Sequence, residues 1–116
     1  ELFRDQMRRV SDAQNLKVVI MKLRNAHNLD ATSCMALEEL IRYMNERDRI
    51  LLVSEARPDT MRILEKSGLI DIINPINLFA DEESNPTLST AKALKRAKVI
   101  LGDREAKVSI YAKDKR

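Results

Sequence analysis

The run Asp30-Ala31-Thr32-Ser33 concentrates most of the chemistry this sequence can offer. Asp30 stands directly before a helical pattern, where a carboxylate can accept from the free backbone N–H groups of the first turn and so cap the helix. Thr32 and Ser33 put two hydroxyls into that same turn, and the unpaired N–H groups and dipole of a helix N-terminus favour an anion there. Capping alone accounts for Asp30, and an anion nearby is compatible with it. The other reactive side chains are scattered. His27 is the only histidine and lies in the polar stretch beside the turn. A solvated loop residue is the expected reading, because a triad needs a nucleophile and an orienting group in reach and the spacing supplies neither. Asp81, Glu82 and Glu83 could hold a hard cation, against the simpler reading of a solvated acidic loop. Arg57 and Asp59, at the start of a later helix, form a candidate partner surface, with plain exposure to water as the alternative. Cys34 is the single cysteine, which excludes an intramolecular disulfide and a cysteine zinc cage and favours a small core residue over a reactive thiol. Only two glycines, Gly68 and Gly102, are present, so there is no glycine-rich phosphate loop. No catalytic residues, metal or cofactor are expected, and the chain does not read as an enzyme.

With 116 residues the chain supports one core and one fold. Apolar residues make up 44% and charged residues 34%, a balance that argues for a folded domain and against disorder. The net charge of +3 comes from 21 bases interspersed among 18 acids, with a basic cluster only at residues 113–116. Aromatics are 3% and tryptophan is absent, so a nucleic-acid surface built on stacked bases is not expected. Lys113 to Arg116 could touch anionic lipid, although a frayed terminus explains them equally. The apolar run Val18 to Met21 falls far short of the roughly 20 residues that a membrane helix needs. The chain opens on Glu1 inside an expected helix, which suggests a soluble piece of a longer protein.

The elements that must position the turn follow from hydrophobic periodicity. Leu2, Phe3, Met7 and Val10 recur at helical spacing and predict a helix to about residue 13. Residues 17–23 form a β-branched apolar run, read as a strand buried on both faces. Cys34, Leu37, Leu40, Ile41 and Met44 share one face of a helix over residues 30–47, about 25 Å long. Residues 50–54 are a second buried strand. A third helix starts around Pro58 and ends at Gly68, which suits a left-handed C-cap. Asn74-Pro75 breaks the chain, residues 76–79 suffice for a brief third strand, and residues 81–85 are an acidic loop. A last helix spans residues 86–101 with Leu88, Ala91, Leu94, Ala97 and Leu101 inward. Residues 103–116 read as a charged tail, the alternation of Val108, Ile110 and Tyr111 being too weak for a strand. Alternating helices and strands imply an α/β fold with a mainly parallel sheet and flanking helices.

This succession resembles the STAS family, the sulfate transporter and anti-sigma-factor antagonist domains. The first strand, VVIMKLRNAHN, runs into LDATSCMALEEL; the second, in RILLVSEARPDTMRILEKSGL, runs into another helix; INLFADEESNPTLSTAKAL is similar to the closing strand and helix. The likeness covers residues 2–101, so a STAS domain is expected over residues 1–102 and a tail over 103–116. It implies a turn whose phospho-acceptor position falls at Thr32. Ser33 stands where the family usually has glycine, and the strands that relatives place before the first helix are missing from this chain. "LDAT" followed by LEELIRYMNERDRILLV looks like the SulP anion-transporter branch. The resemblance thus implies a regulatory domain on the cytoplasmic face of a bacterial inner membrane, acting on sulfate or related anion transport. Its partners would be the transporter's membrane domain, in the same chain or a symmetry mate, or a soluble regulatory protein. The alternative is a free-standing anti-sigma-factor antagonist switched by phosphorylation at Thr32. A nucleotide-binding module is a third reading that the family allows.

Overall fold

The computed structural model describes residues 16–26, 29–102 and 107–112. The helix expected over residues 2–13, His27, and the basic cluster at 113–116 lie outside the described residues.

Strand β1 (Leu16–Lys22) is buried along nearly its whole length. Because side chains alternate across a strand, Val19 and Met21 enter one core while Val18 and Ile20 enter the other. Helix α1 (Ala31–Glu46) buries Leu37, Leu40, Ile41 and Met44, the i, i+3, i+4, i+7 face that its sequence predicts. Strand β2 (Ile50–Ala56) runs parallel to β1 with Val18 opposite Ile50 and Lys22 opposite Ser54. Helix α2 (Pro58–Lys66) carries proline in its first turn, where the missing N–H costs no helical bond, and is followed by Gly68 at φ 78°, a left-handed position that favours glycine. Helix α3 (Leu69–Ile73) ends at Asn74, whose side chain accepts from the Ile76 N–H and turns the chain into a 3-10 turn, Pro75–Asn77. Strand β3 (Leu78–Ala80), helix α4 (Leu88–Leu101) and strand β4 (Lys107–Ala112) complete the fold.

The four strands are all parallel, in the order β3-β2-β1-β4. Helices α1, α2 and α3 cover the face that carries Val19, Met21, Leu51 and Val53. Helix α4 covers the opposite face, against Val18, Ile20 and Leu52. The architecture is therefore the α/β parallel sheet that the sequence predicts.

Several boundaries differ, each for a physical reason. The third strand is confined to Leu78–Ala80, because Asn74 and Pro75 tighten the two residues before it into the 3-10 turn. The apolar run 69–73 is a short helix. Helix α4 buries Ser89, Ala93 and Ala97 and packs Leu94 and Leu101 against the same cluster, as expected for Leu94, Ala97 and Leu101, whereas Ala91 is exposed and Ser89 and Ala93 turn to the sheet in its place. Residues 107–112, assigned above to a charged tail, form β4 and pair with β1 in parallel through Val18 opposite Val108 and Ile20 opposite Ile110. Edge strands need apolar residues on one covered side only, which is why the alternation there is faint.

Candidate functional site

Asp30, Thr32, Ser33, Arg57, Asp59 and Asp81 all follow strand ends at the carboxyl edge of the parallel sheet, the edge where open α/β sheets bind ligands. β1 leads through Leu29 to the Asp30 turn. Asp30 is extended at φ −83° and ψ −179°, and its Oδ1 accepts from the Ser33 N–H at 2.8 Å. This bond satisfies one of the free donors of the first turn. Thr32 is exposed and Ser33 half-buried in that turn. The Ser33 N–H, followed by the Ser33 hydroxyl, holds the Asp30 carboxyl below the usual carboxylate value of 3.8.

A group whose folded pKa is depressed stabilises the fold above its unfolded value, and the contribution is lost as pH falls through the folded value. Asp30→Ala should therefore lower the thermal midpoint at neutral pH, and the gap from wild type should close as pH drops below 3.8. Thermal melts across that range check this; a gap independent of pH would contradict it.

Beside the turn lies a cavity of about 430 Å³ between α1 and the end of α2. Leu29, Cys34, Met35, Ile63 and Leu69 make its apolar walls, and Asp30, Glu38 and Lys66 stand at it as charged groups. Met35 is 68% exposed on a helix that buries four other apolar side chains, and it lies on the cavity wall. Cys34 is half-buried in the wall and packs against the main core, as its small-core reading predicts. Burial pushes its thiol above 9.0, against a smaller opposing effect of the Ser67 hydroxyl. It is thus protonated at neutral pH, and iodoacetamide should modify it more slowly than a free thiol such as glutathione. Faster modification would contradict that environment.

The second set of groups was not visible in the sequence pattern. Glu55, 5% exposed, sits at φ 56° near the end of β2, where the pairing with β3 shifts register between Val53 and Ala56. Its Oε1 accepts from Arg24 Nε at 3.0 Å, and its Oε2 accepts from the Thr90 hydroxyl at 2.6 Å, with Lys22 Nζ at 3.4 Å. The Glu55 N–H donates to Ser89 Oγ at 3.0 Å. Since the single Thr90 proton goes to the carboxylate, the Ser54 hydroxyl, 3.0 Å from Thr90 Oγ1, is the donor to it. Arg24 reaches on to Asp81 Oδ1 and to the Pro86 carbonyl at 2.7 Å. Glu55 is thus an internal anion at the first turn of α4, tying β1, β2, the acidic loop and α4 together. Its carboxylate takes donors from Lys22, Arg24 and Thr90, which suits a clamp across the sheet edge.

The acidic loop is accordingly not a simple solvated run: Asp81 pairs with Arg24, and Glu82 lies 3.7 Å from Lys92. No cluster of metal-ligating side chains occurs among the described residues. Arg57 and Asp59, both exposed, start α2 at the same sheet edge, 4.0 Å apart. No hydrogen bond or ion pair joins them to the Asp30 turn among the described residues.

The order of elements and the capped turn agree with comparison to known families. The STAS domain family model matches residues 1–85. The chain belongs to the STAS domain family. No match was found among curated proteins. In this STAS domain the turn residues Asp30, Thr32 and Ser33 occupy the start of α1, and the groove lined by Met35 opens next to them. A STAS domain is consistent with a regulatory role in transporters or in anti-sigma antagonism. No helix among the described residues is long and apolar enough to cross a membrane.

Proposed function

We propose that this STAS domain is the cytosolic regulatory part of a SulP-type transporter for sulfate or a related anion, and that it works by protein contact and not by catalysis. The observation that carries the reading is the pairing of a closed cap with an open groove. Asp30 already supplies an anion to the α1 N-terminus through Ser33, so a second negative group in that turn would meet repulsion. The adjoining cavity, with exposed Met35 on its wall, offers apolar surface that a partner can cover. The partner is the transporter's own membrane domain, in the same chain or a symmetry mate, with Arg57 and Asp59 at the rim of the contact. The resemblance of "LDAT" and the following helix to the SulP branch supports the same choice. Reading the coding sequence upstream of Glu1 tests it: membrane helices there are expected, and an open frame without them overturns the proposal.

One observation favours a second reading. Thr32 is exposed directly after the cap, where a kinase could reach it, as in free-standing anti-sigma-factor antagonists. Incubation with anti-sigma kinases followed by mass spectrometry decides between the two. Phosphate at Thr32 supports the signalling reading, and its absence with all of them removes that reading.

A further inference from the structure

The two faces of the sheet carry opposite charge. Helices α1 to α3 hold six acids (Glu38, Glu39, Glu46, Asp59, Glu65, Asp71) against three bases (Arg42, Arg62, Lys66), whereas α4 holds four bases (Lys92, Lys95, Arg96, Lys98) and no acid. Small residues of α4 meet the sheet, so its lysines are turned outward: Lys92, Lys95 and Lys98 are all exposed. Lys92 has Glu82 at 3.7 Å, but Lys95 and Lys98 form no ion pair among the described residues. Arg96 is turned aside to Asn77. Between these lysines Val99 is 70% exposed.

We infer that the outer face of α4 is a docking surface for an anionic lipid membrane. Three features select that occupant. Lysine is a point charge on a flexible stem, suited to a diffuse negative surface and not to the bidentate recognition of one carboxylate or phosphate. Aliphatic side chains among lysines can enter the boundary between headgroups and acyl chains while the ammonium groups stay in water. Single-stranded nucleic acid would instead call for aromatic platforms, and none stands on α4, whose sequence is LSTAKALKRAKVIL; duplex DNA is bound largely through phosphate charge and is separated from lipid by the test below. The acidic helices on the far face would then point away from the bilayer, leaving the groove at Met35 free. The inference does not require the chain to belong to a transporter, since it concerns this surface alone.

Cosedimentation of the 116-residue chain with vesicles tests it. Vesicles of phosphatidylcholine with about a third phosphatidylglycerol should bind the chain, pure phosphatidylcholine should not, and binding should weaken as salt is raised. Lys95→Glu with Lys98→Glu should lower partitioning by about ten-fold or more, since each lysine near such a surface contributes about five-fold. Arg42→Glu with Arg62→Glu changes net charge equally on the opposite face and should leave partitioning unchanged. Val99→Ser should lower it a few-fold, with the circular dichroism spectrum intact. Equal losses in the two charge-reversed variants would reduce the effect to net charge and overturn the inference. So would equal binding to neutral vesicles, no binding to anionic ones, or release from anionic vesicles by duplex DNA at matched phosphate concentration.

Discussion

Glu55→Ala is expected to lower the stability of the domain by about 2–3 kcal/mol, among the largest losses available to a single polar substitution here. The change leaves Arg24 without one of its two carboxylates, Lys22 without its partner, and the Thr90 hydroxyl without its acceptor. Breaking a fully buried pair costs about 3–5 kcal/mol, but the Arg24 and Lys22 side chains are 31% and 34% exposed. Water can recover part of their solvation, which sets the lower figure. The backbone allows an internal control. Glu55 lies at φ 56°, where a Cβ is strained by about 1–2 kcal/mol and glycine is not. Glu55→Gly loses the same ion pairs but relieves that strain, so it should be less destabilised than Glu55→Ala by about 1 kcal/mol. Urea denaturation of the three proteins measures both differences. If Glu55→Ala unfolded within about 0.5 kcal/mol of wild type, the clamp would not be holding the sheet edge together.

Leu64→Ala should cost about 3 kcal/mol. Leu64 is fully buried in α2 and belongs to the core that α1, α2 and α3 share over the sheet. Truncation would remove its transfer energy and leave a cavity walled by residues already held on three sides, so collapse can recover little. Met35→Ala provides the contrast. Its side chain is 68% exposed, and the substitution should stay within about 0.5 kcal/mol of wild type. The pair separates folding from contact: a groove variant that loses a partner while keeping its denaturation midpoint has lost the contact alone. A Met35→Ala protein as unstable as Leu64→Ala would mean that Met35 is part of the core.

How much of this was legible in the sequence depended on the range of the physics involved. Strands β1 and β2 declared themselves because Val18 to Met21 and Ile50 to Val53 are apolar on both faces, a local signal. The start of α1 was legible because a cap is also local: Asp30 reaches only to Ser33. Gly68 marked the end of α2 through its left-handed backbone for the same reason. The Glu55 clamp could not be read this way. Its partners lie 31 to 35 residues away, and Pro86 lies 62 from Arg24. The only local trace was an acidic residue following a buried strand. The inward face of α4 was read correctly at Leu94, Ala97 and Leu101 but missed Ser89 and Ala93 in favour of exposed Ala91, because small and polar side chains carry little hydrophobic signal even where they let a helix approach a sheet closely. β4 was passed over because its apolar alternation, in a segment rich in charge, is brief. The family resemblance placed Thr32 at an acceptor position. The structure adds that Asp30 takes one donor of the turn, the Ser33 N–H, and that an apolar groove adjoins it.

In the proposed role the domain acts through the groove at Met35 and not through a phosphate at Thr32. Anion uptake by the full-length protein reconstituted into vesicles tests it, with wild type compared to Met35→Asp and Thr32→Glu. Met35→Asp is expected to change the uptake rate while the isolated domain keeps its denaturation midpoint, and Thr32→Glu to leave uptake unaltered. Uptake that responds to Thr32→Glu and ignores Met35→Asp would contradict that role.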